Sequence, residues 1–239
     1  MKISTYNIVA EVDGGKRFVF ISDLHGYNNN KILNEIDKLE PQCVLIGGDM
    51  VHNDKNFRHG IDFLRLCAGK YPTFCSLGNH EMKVGKDIKA LIRESGATLL
   101  DNEYAEFCGV KIGGLTTGYA IGEKQGRSKR TPRPNVEFAE RFSRESGCKI
   151  LLSHHPEYYE RYLKDLNVDL ILSGHAHGGQ WRFFGRGVFA PGQGLFPKYT
   201  WGMYDNKLIV SRGIGNHMLI PRINNCAEII AINIKNEEK

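Results

Sequence analysis

The sequence lacks a long hydrophobic run and a recognisable secretion signal. No apolar stretch approaches the roughly 18 residues that a membrane-spanning helix needs. Residues 1–9 carry neither the basic start nor the apolar core of a signal peptide. We therefore expect no transmembrane segment, and any contact with a membrane would be peripheral.

The cysteines lack the regular spacing of a disulfide framework or a CxxC metal site. Most of them lie in apolar stretches, where a thiol behaves as a small hydrophobic group. A chain of 239 residues can bury a large core without disulfide staples. We expect reduced thiols and a cytoplasmic location. The six cysteines are Cys43, Cys67, Cys75, Cys108, Cys148 and Cys226.

Charge gives limited guidance about partners. The formal net charge is +5, and part of this excess is concentrated in one glycine- and proline-containing loop. The excess can attract a phosphate-bearing substrate or an acidic lipid surface, although a solvated loop is the simpler interpretation. No extended basic helix of the kind that binds nucleic acid is visible. The basic cluster consists of Lys124, Arg127, Lys129, Arg130 and Arg133.

Apolar strands and amphipathic helices alternate through the first hundred residues. This order predicts a parallel sheet that is covered on both faces. The predicted strands are 18–22, 43–47 and 73–77, and the predicted helices are 29–39, 57–68 and 87–95.

The pattern changes after residue 98. A hairpin is predicted over 104–113, and Asn135 is a plausible N-cap for a helix that runs to 146. Two further strands, 149–153 and 169–173, flank a helix predicted over 158–166. Short β segments follow beyond residue 180. Because no repeat or linker is visible, we expect one domain over residues 1–239.

Five short polar clusters each follow an apolar run, so each is predicted to lie where a strand ends and a loop begins. Carboxylate, carboxamide and imidazole groups are the ligands that hold Mn, Fe, Zn or Co. In an open α/β sheet, binding sites form beyond the carboxyl ends of the strands, so these clusters can converge. They are Asp23-Leu24-His25, Gly48-Asp49, Gly78-Asn79-His80-Glu81, Ser153-His154-His155 and Gly174-His175-Ala176-His177.

The clusters contain the groups that a two-metal hydrolase needs. Asp23 and His25 are two residues apart, so they share one face of an extended segment. The carboxylate of Asp49 can bridge two cations, and Asn79 offers a neutral oxygen. Two ions about 3.5–4 Å apart lower the pKa of a shared water, so a metal-bridging hydroxide can attack a phosphate. His80, which lies beside a ligand, is the candidate general acid.

The clusters resemble the pattern D-x-H, G-D, G-N-H-[DE], H and G-H-x-H of the calcineurin-like metallophosphoesterase superfamily. They span residues 23–177. The continuation through Gly178, Gly179 and Gln180, and the later Ser-Arg-Gly-Ile-Gly segment at 211–215, resemble the bacterial YkuE/YaeI-like branch. The resemblance implies a four-layer α/β/β/α sandwich with two mixed sheets and a dinuclear metal site at the C-terminal ends of the strands.

The same resemblance implies a role for each matching position. Asp49 would bridge two divalent ions, His80 would lie near the leaving group, and Gln180 and Arg212 would contact the substrate. The identity of the ions cannot be read, because Mn, Fe, Zn and Co suit this ligand set equally. One ion would be bound by Asp23, His25 and His177, and the other by Asn79, His154 and His175.

One position departs from the family pattern. The family commonly has an acidic residue three positions after the bridging aspartate, where it orients the catalytic histidine. This chain has His52 there. Asp54 is an alternative partner for His80, and a weaker acid step is the other alternative.

We therefore expect a metal-dependent phosphohydrolase that cleaves a phosphodiester or a pyrophosphate rather than a monoester. The expected substrate is a phosphate-containing small molecule or a lipid-linked compound, since related enzymes cleave phosphodiesters or a UDP-linked acylated sugar. A nuclease on the same scaffold is an alternative, and the mild basic excess permits it. A non-catalytic interaction protein is less favoured, because such a protein would have lost ligands.

Overall fold

Two mixed sheets pack face to face in the computed structural model, which describes residues 1–27, 30–53, 57–84, 87–119, 131–216 and 221–236. In chain order the strands are β1 (Lys2–Val9), β2 (Lys16–Ile21), β3 (Cys43–Ile46), β4 (Thr73–Cys75), β5 (Thr98–Leu99), β6 (Glu103–Phe107), β7 (Val110–Leu115), β8 (Cys148–Ser153), β9 (Leu170–Ser173), β10 (Arg182–Phe183), β11 (Arg186–Gly187), β12 (Phe189–Ala190), β13 (Gly194–Leu195), β14 (Gly202–Tyr204), β15 (Leu208–Val210) and β16 (Glu228–Lys235). The helices are α1 (Asn30–Asp37), α2 (Phe57–Ala68), α3 (Ile88–Glu94) and α4 (Val136–Ser143).

The first sheet has six strands in the order β1-β16-β2-β3-β4-β5. The strands from β2 to β5 run parallel, whereas β16 pairs antiparallel with β2 and parallel with β1. The second sheet has the order β14-β15-β9-β8-β7-β6, with four central parallel strands and an antiparallel strand at each edge. Two short hairpins, β10-β11 and β12-β13, lie outside these sheets.

Alternation along the strands assigns each side chain to a layer. On β2, Val19 and Ile21 pack with the core beneath α1, α2 and α3, whereas Phe18 and Phe20 pack between the two sheets. The outer face of the second sheet packs against α4 and the segment after β8. The resulting four layers confirm the predicted α/β/β/α sandwich. The first sheet is covered on both faces, as predicted, by helices on one face and by the second sheet on the other.

Most of the predicted elements are confirmed. The second helix has the predicted bounds, Phe57–Ala68. The side chain of Asn135 accepts a hydrogen bond from the Phe138 backbone nitrogen at 2.9 Å, as an N-cap does. The predicted helix over 158–166 is wrong, because only a single π-helical turn forms at Tyr159–Leu163. The wide turn buries both Tyr158 and Tyr159, which are consecutive residues.

Part of the predicted basic cluster cannot be placed. Lys124, Arg127, Lys129 and Arg130 lie outside the described residues, and so does Asp54. Arg133 is described, and it forms an exposed ion pair with Glu137 at 3.1 Å. In the part of the chain that the structure describes, no helix has the length and apolar character to cross a membrane.

Candidate metal centre

The polar clusters meet at one edge of the two sheets because of strand register. Ile21, Ile46 and Cys75 are neighbours across β2, β3 and β4. The loops that follow these three parallel strands therefore begin side by side, and they carry Asp23, Asp49 and Asn79. The loops after β8 and β9 bring in the histidines from the second sheet. The sandwich thus positions ligands from both sheets at the same edge.

Five of the seven predicted ligands have a left-handed backbone. Such a conformation is uncommon for residues other than glycine, and it concentrates at functional sites because the surrounding structure must impose it. These sharp turns direct the ligand side chains toward one another at the edge of the sheets. The five residues, with their φ angles, are Asp23 (54°), His25 (50°), Asp49 (55°), His175 (64°) and His177 (46°).

The first set of ligands contains Asp23, His25 and His177. One ligand atom from each residue lies within 4.8 Å of the others. His177 Nε2 is 3.6 Å from Asp23 Oδ1, and His25 Nε2 is 3.9 Å from the same oxygen. The two Nε2 atoms are 3.1 Å apart. All three side chains are buried, so this set can hold a divalent ion.

The second set contains Asp49, His154 and His175, whose ligand atoms also lie within 4.8 Å of one another. His154 Nε2 is 3.1 Å from Asp49 Oδ2. Asn79 is buried, and its Oδ1 accepts no hydrogen bond from the residues that the structure describes. A buried acceptor without a donor is costly, and a cation would satisfy it.

Asp49, a member of the second set, also lies close to the first set. Its Oδ2 is 3.1 Å from His154 Nε2 in the second set and 4.0 Å from His25 Nε2 in the first. A carboxylate in this position has lone pairs available in both directions. Each of the two neighbouring sets could therefore hold a divalent ion.

The electrostatics of the cluster also suit cations. Burial raises the pKa of Asp23 to about 6, with His154 opposing and Asp49 reinforcing the shift. Burial opposes charging of His154, but Asp49 above all raises the pKa of this imidazole to about 10. Burial and the neighbouring His155 hold the pKa of His175 well below its usual range. His175 is therefore a neutral imidazole, the form that binds metals.

His80 is oriented by a backbone carbonyl. Its backbone nitrogen donates to Asp49 Oδ1 at 2.8 Å, and its Nδ1 lies 2.7 Å from the carbonyl oxygen of His52. The carbonyl requires a proton on Nδ1, so the lone pair is on Nε2. Lys83 Nζ lies 3.2 Å from that Nε2. The His52 side chain stacks on the His80 ring at 5.0 Å, so in the described residues the orienting group at this position is a main-chain oxygen.

The two predicted substrate contacts have other partners in the structure. Gln180 Nε2 donates to Asn216 Oδ1 at 3.2 Å. The Arg212 guanidinium lies 4.0 Å from the centre of the Trp201 ring and belongs to neither ligand set. Sequence reasoning missed Arg222, whose Nη2 lies 3.2 Å from His177 Nδ1.

Two further residues that support the ligands were not assigned from the sequence. Glu81 is buried and accepts hydrogen bonds from backbone nitrogens of the Asp49 and Gly78 loops. His155 packs against His175 with ring centres 4.2 Å apart, and Thr117 Oγ1 lies 2.8 Å from His155 Nε2. His155 follows the predicted ligand His154, and Glu81 follows the predicted acid His80; these positions were the available signal.

The fold and the clustered donors define an α/β/β/α protein with a candidate metal centre. The family model described as calcineurin-like phosphoesterase matches residues 16–179. The chain therefore belongs to the calcineurin-like phosphoesterase family, which confirms the resemblance seen in the sequence.

Relatives from three bacteria include both names of the predicted branch. An uncharacterised metallophosphoesterase of Campylobacter jejuni is 29% identical over 93% of this chain and 60% of its own length. Phosphodiesterase YaeI of Escherichia coli is 30% identical over 70% of this chain and 62% of its own length. The uncharacterised metallophosphoesterase YkuE of Bacillus subtilis is 28% identical over 85% of this chain and 71% of its own length. The chain thus spans less than two thirds of the first two relatives.

Proposed function

We propose that this protein is a dinuclear metal-dependent phosphohydrolase that cleaves a phosphodiester or a pyrophosphate. The observation that carries the proposal is the position of Asp49, which belongs to one set of buried ligands and lies close to the other. In this account residues 1–239 form a single domain. The similarity to YaeI of Escherichia coli, which is named a phosphodiesterase, supports a preference for diesters.

Each ligand set would hold one divalent ion. Asp23, His25 and His177 would bind the first ion. Asp49 would bridge the two ions. When bound, two such ions activate water and neutralise the oxygens of a phosphate. Asn79, His154 and His175 would bind the second ion.

The remaining chemistry belongs to the residues around the ligands. His80 would donate a proton to the leaving oxygen from Nε2, the atom that faces Lys83. Burial lowers the pKa of Lys83, and Asp49 and Glu81 oppose that shift. The Lys83 ammonium lies within hydrogen-bonding distance of His80 Nε2, and this contact is the basis on which we propose it as the proton source for that atom. The carbonyl of His52 would hold the His80 ring in place during this step.

We further propose Mn, Fe, Zn or Co as the metal, and a phosphate-containing small molecule or lipid-linked compound as the substrate. All six cysteines are free thiols, which supports a reducing, cytoplasmic location.

Hydrolysis of two chromogenic esters tests the proposal. Metal-stripped protein would be resupplied with Mn and assayed with bis-p-nitrophenyl phosphate and p-nitrophenyl phosphate. We expect metal-dependent turnover that is faster for the diester. Turnover of the monoester alone would contradict the diester preference, and turnover that persists without metal would contradict the metal-dependent mechanism.

A further inference from the structure

A buried guanidinium without a charged partner lies beside the candidate metal centre. Arg212 is only 8% exposed, yet its side chain forms no ion pair with any described carboxylate. Its Nε has no hydrogen-bond acceptor among the described residues, and the contact of its Nη1 is with Cys226 Sγ at 3.7 Å. Buried charges are normally paired, because removing a charge from water is costly. Arg212 therefore has unused capacity to bind an anion.

A second guanidinium shares the same aromatic ring. Arg212 and Arg182 lie 4.0 and 5.0 Å from the centre of the Trp201 ring. Burial and the charge of Arg212 lower the pKa of Arg182. The Arg182 guanidinium already donates hydrogen bonds to the carbonyl oxygens of Gly178 and Gly185. Its main contribution to the pocket is therefore its positive charge. Lys2 Nζ also lies 4.7 Å from the centre of this ring. Three like charges on one ring favour an anion nearby.

The neighbouring carboxylate does not fill this role. The oxygens of Glu228 accept hydrogen bonds from Ser4 Oγ, from Trp201 Nε1 at 2.7 Å and from the backbone nitrogen of Arg212 at 3.1 Å. Glu228 thus positions the tryptophan ring and the arginine backbone. No ion pair within 4.0 Å joins it to either guanidinium in the described part of the chain.

A cavity of about 430 Å³ opens over Arg212. Its described lining contains no acidic side chain. Two phenylalanines form its apolar rim, since Phe183 is 47% exposed and Phe184 is fully exposed. The cavity therefore offers positive charge at its base and aromatic surface at its mouth. The lining residues are Arg182, Phe183, Phe184, Gly185, Trp201, Arg212 and Asn224.

The rim is held in an unfavourable conformation. Phe184 occupies the turn between β10 and β11 with a φ of 51°, where asparagine or glycine is the usual residue. A bulky residue with positive φ is strained, and full exposure of its ring adds a hydrophobic cost. Phe196, at the next hairpin, repeats this combination with a φ of 51° and 80% exposure. Phe196 lines a different cavity, whereas ligand contact in this cavity would offset the cost of exposing Phe184.

We propose that this pocket, beside the metal centre, binds the anionic head group of an amphiphile. Arg212 contacts the anion, with Arg182 adding charge, and the apolar chain lies against Phe183 and Phe184. Gly213, the residue that follows Arg212 in the chain, packs against the metal centre, because a Cβ at this glycine would lie 2.7 Å from the Cβ of Asp23. Binding at this pocket is separate from hydrolysis, so it can be measured without turnover.

Tryptophan fluorescence provides a direct test, because the chain has two tryptophans. In the Trp181→Phe variant, Trp201 is the sole reporter, and the metal-loaded protein is titrated with monomeric decylphosphonate. We expect a saturable change in fluorescence. Methylphosphonate should bind at least about tenfold more weakly, because each buried methylene contributes to affinity. A neutral alkyl glucoside should give no saturable signal.

Substitutions identify the residues responsible. Arg212→Gln should weaken decylphosphonate binding by at least about tenfold. The matched control is Arg186→Gln, which removes the same charge from an exposed position on β11, outside this cavity. Phe184→Ser changes a fully exposed side chain, so it should preserve the fold while weakening binding of decylphosphonate but not of methylphosphonate. The control Arg186→Gln should change the affinity for decylphosphonate by less than about twofold.

Two further experiments test whether binding at this pocket is independent of the metal centre and whether the ligand comes from a bilayer or from solution. Asp49→Asn should leave the affinity for decylphosphonate unchanged, whether or not that variant hydrolyses esters. Co-sedimentation with phosphatidylcholine vesicles that contain phosphatidic acid would indicate a bilayer source, and binding of the monomer alone a dispersed one. Either kind of binding supports the proposed pocket if the Arg212→Gln substitution abolishes that binding. Equal binding by Arg212→Gln and the unsubstituted chain, or equal affinity for methylphosphonate and decylphosphonate, would overturn the proposal.

Discussion

The carboxylate of Glu81 accepts a hydrogen bond from the backbone nitrogen of Asp49 at 2.9 Å. The same carboxylate accepts from the backbone nitrogens of Gly78 at 2.8 Å, Met50 at 2.8 Å and Val51 at 3.2 Å. One buried side chain therefore holds the two loops that carry Asp49 and Asn79. We interpret Glu81 as a positioning residue for the candidate metal centre.

Replacing this carboxylate should misplace both loops. In Glu81→Gln, the amide NH₂ would face backbone donors, and each buried donor left unpaired costs about 1–3 kcal/mol. We expect a lower melting temperature, by ~2–4 °C for each kcal/mol lost, and weaker metal binding. Thermal unfolding and metal titration would measure the two effects.

The control for this substitution is Glu106→Gln on the exposed face of β6, which makes the same chemical change on the surface. Its melting temperature and metal affinity should match those of the unsubstituted chain. If Glu81→Gln behaves like this control, the carboxylate does not position the loops.

His80 should affect turnover but not metal binding. In His80→Ala the ligands remain, so we expect normal metal content with hydrolysis slowed by about 10²–10⁴-fold. The loss should be largest for substrates with poor leaving groups, because these need the proton most. Rates for a series of substituted phenyl diesters would show the trend. His59→Ala on the exposed face of α2 is the control, and an equal loss across the whole series would rule out the acid role.

Substitution of Lys83 should reproduce part of the loss of turnover that is expected for His80→Ala. Its Nζ lies 3.2 Å from His80 Nε2 and forms no ion pair within 4.0 Å with a described carboxylate. Lys83→Met removes the ammonium and keeps an unbranched side chain. We predict a slower turnover in Lys83→Met alone, and no further loss when Lys83→Met is added to His80→Ala. Fully additive losses in the double variant would show that the two residues act independently.

The sandwich should not tolerate a methyl group at the start of the Asp49 loop. A Cβ at Gly47 would lie 2.5 Å from the ring of the buried Phe20. We expect Gly47→Ala to lower the free energy of unfolding by about 1–3 kcal/mol through overpacking. In the Phe20→Leu background the smaller side chain should reduce this penalty. Urea unfolding of the single and double variants measures the coupling, and strictly additive values would contradict the contact.

Local sequence patterns predicted the elements that carry the ligands, because these strands are apolar and end in polar loops. The first strand was not predicted. Most residues of β1 (Lys2–Val9) are exposed or half-buried, and its partner β16 lies at the other end of the chain. Such an edge strand depends on long-range pairing, which a local pattern does not show.

The candidate site shows the same division between local and tertiary information. The spacing of Asp23 and His25 indicated ligands, and the structure brings both residues to His177. The direction of Arg212 depends on the tryptophan ring and on Glu228, which come from other segments of the chain. No local pattern could reveal that this side chain faces a separate cavity.

The central claim is that Asp49 joins two metal sites, and metal content tests it most directly. Protein purified after Mn loading would be analysed by inductively coupled plasma mass spectrometry, together with Asp49→Asn and with Asp62→Asn, an exposed control on α2. We predict about two ions per chain for the unsubstituted protein and for the control, and about one or fewer for Asp49→Asn, which should also lose hydrolysis. One ion or none in the unsubstituted chain, or two ions in a fully active Asp49→Asn variant, would contradict the account.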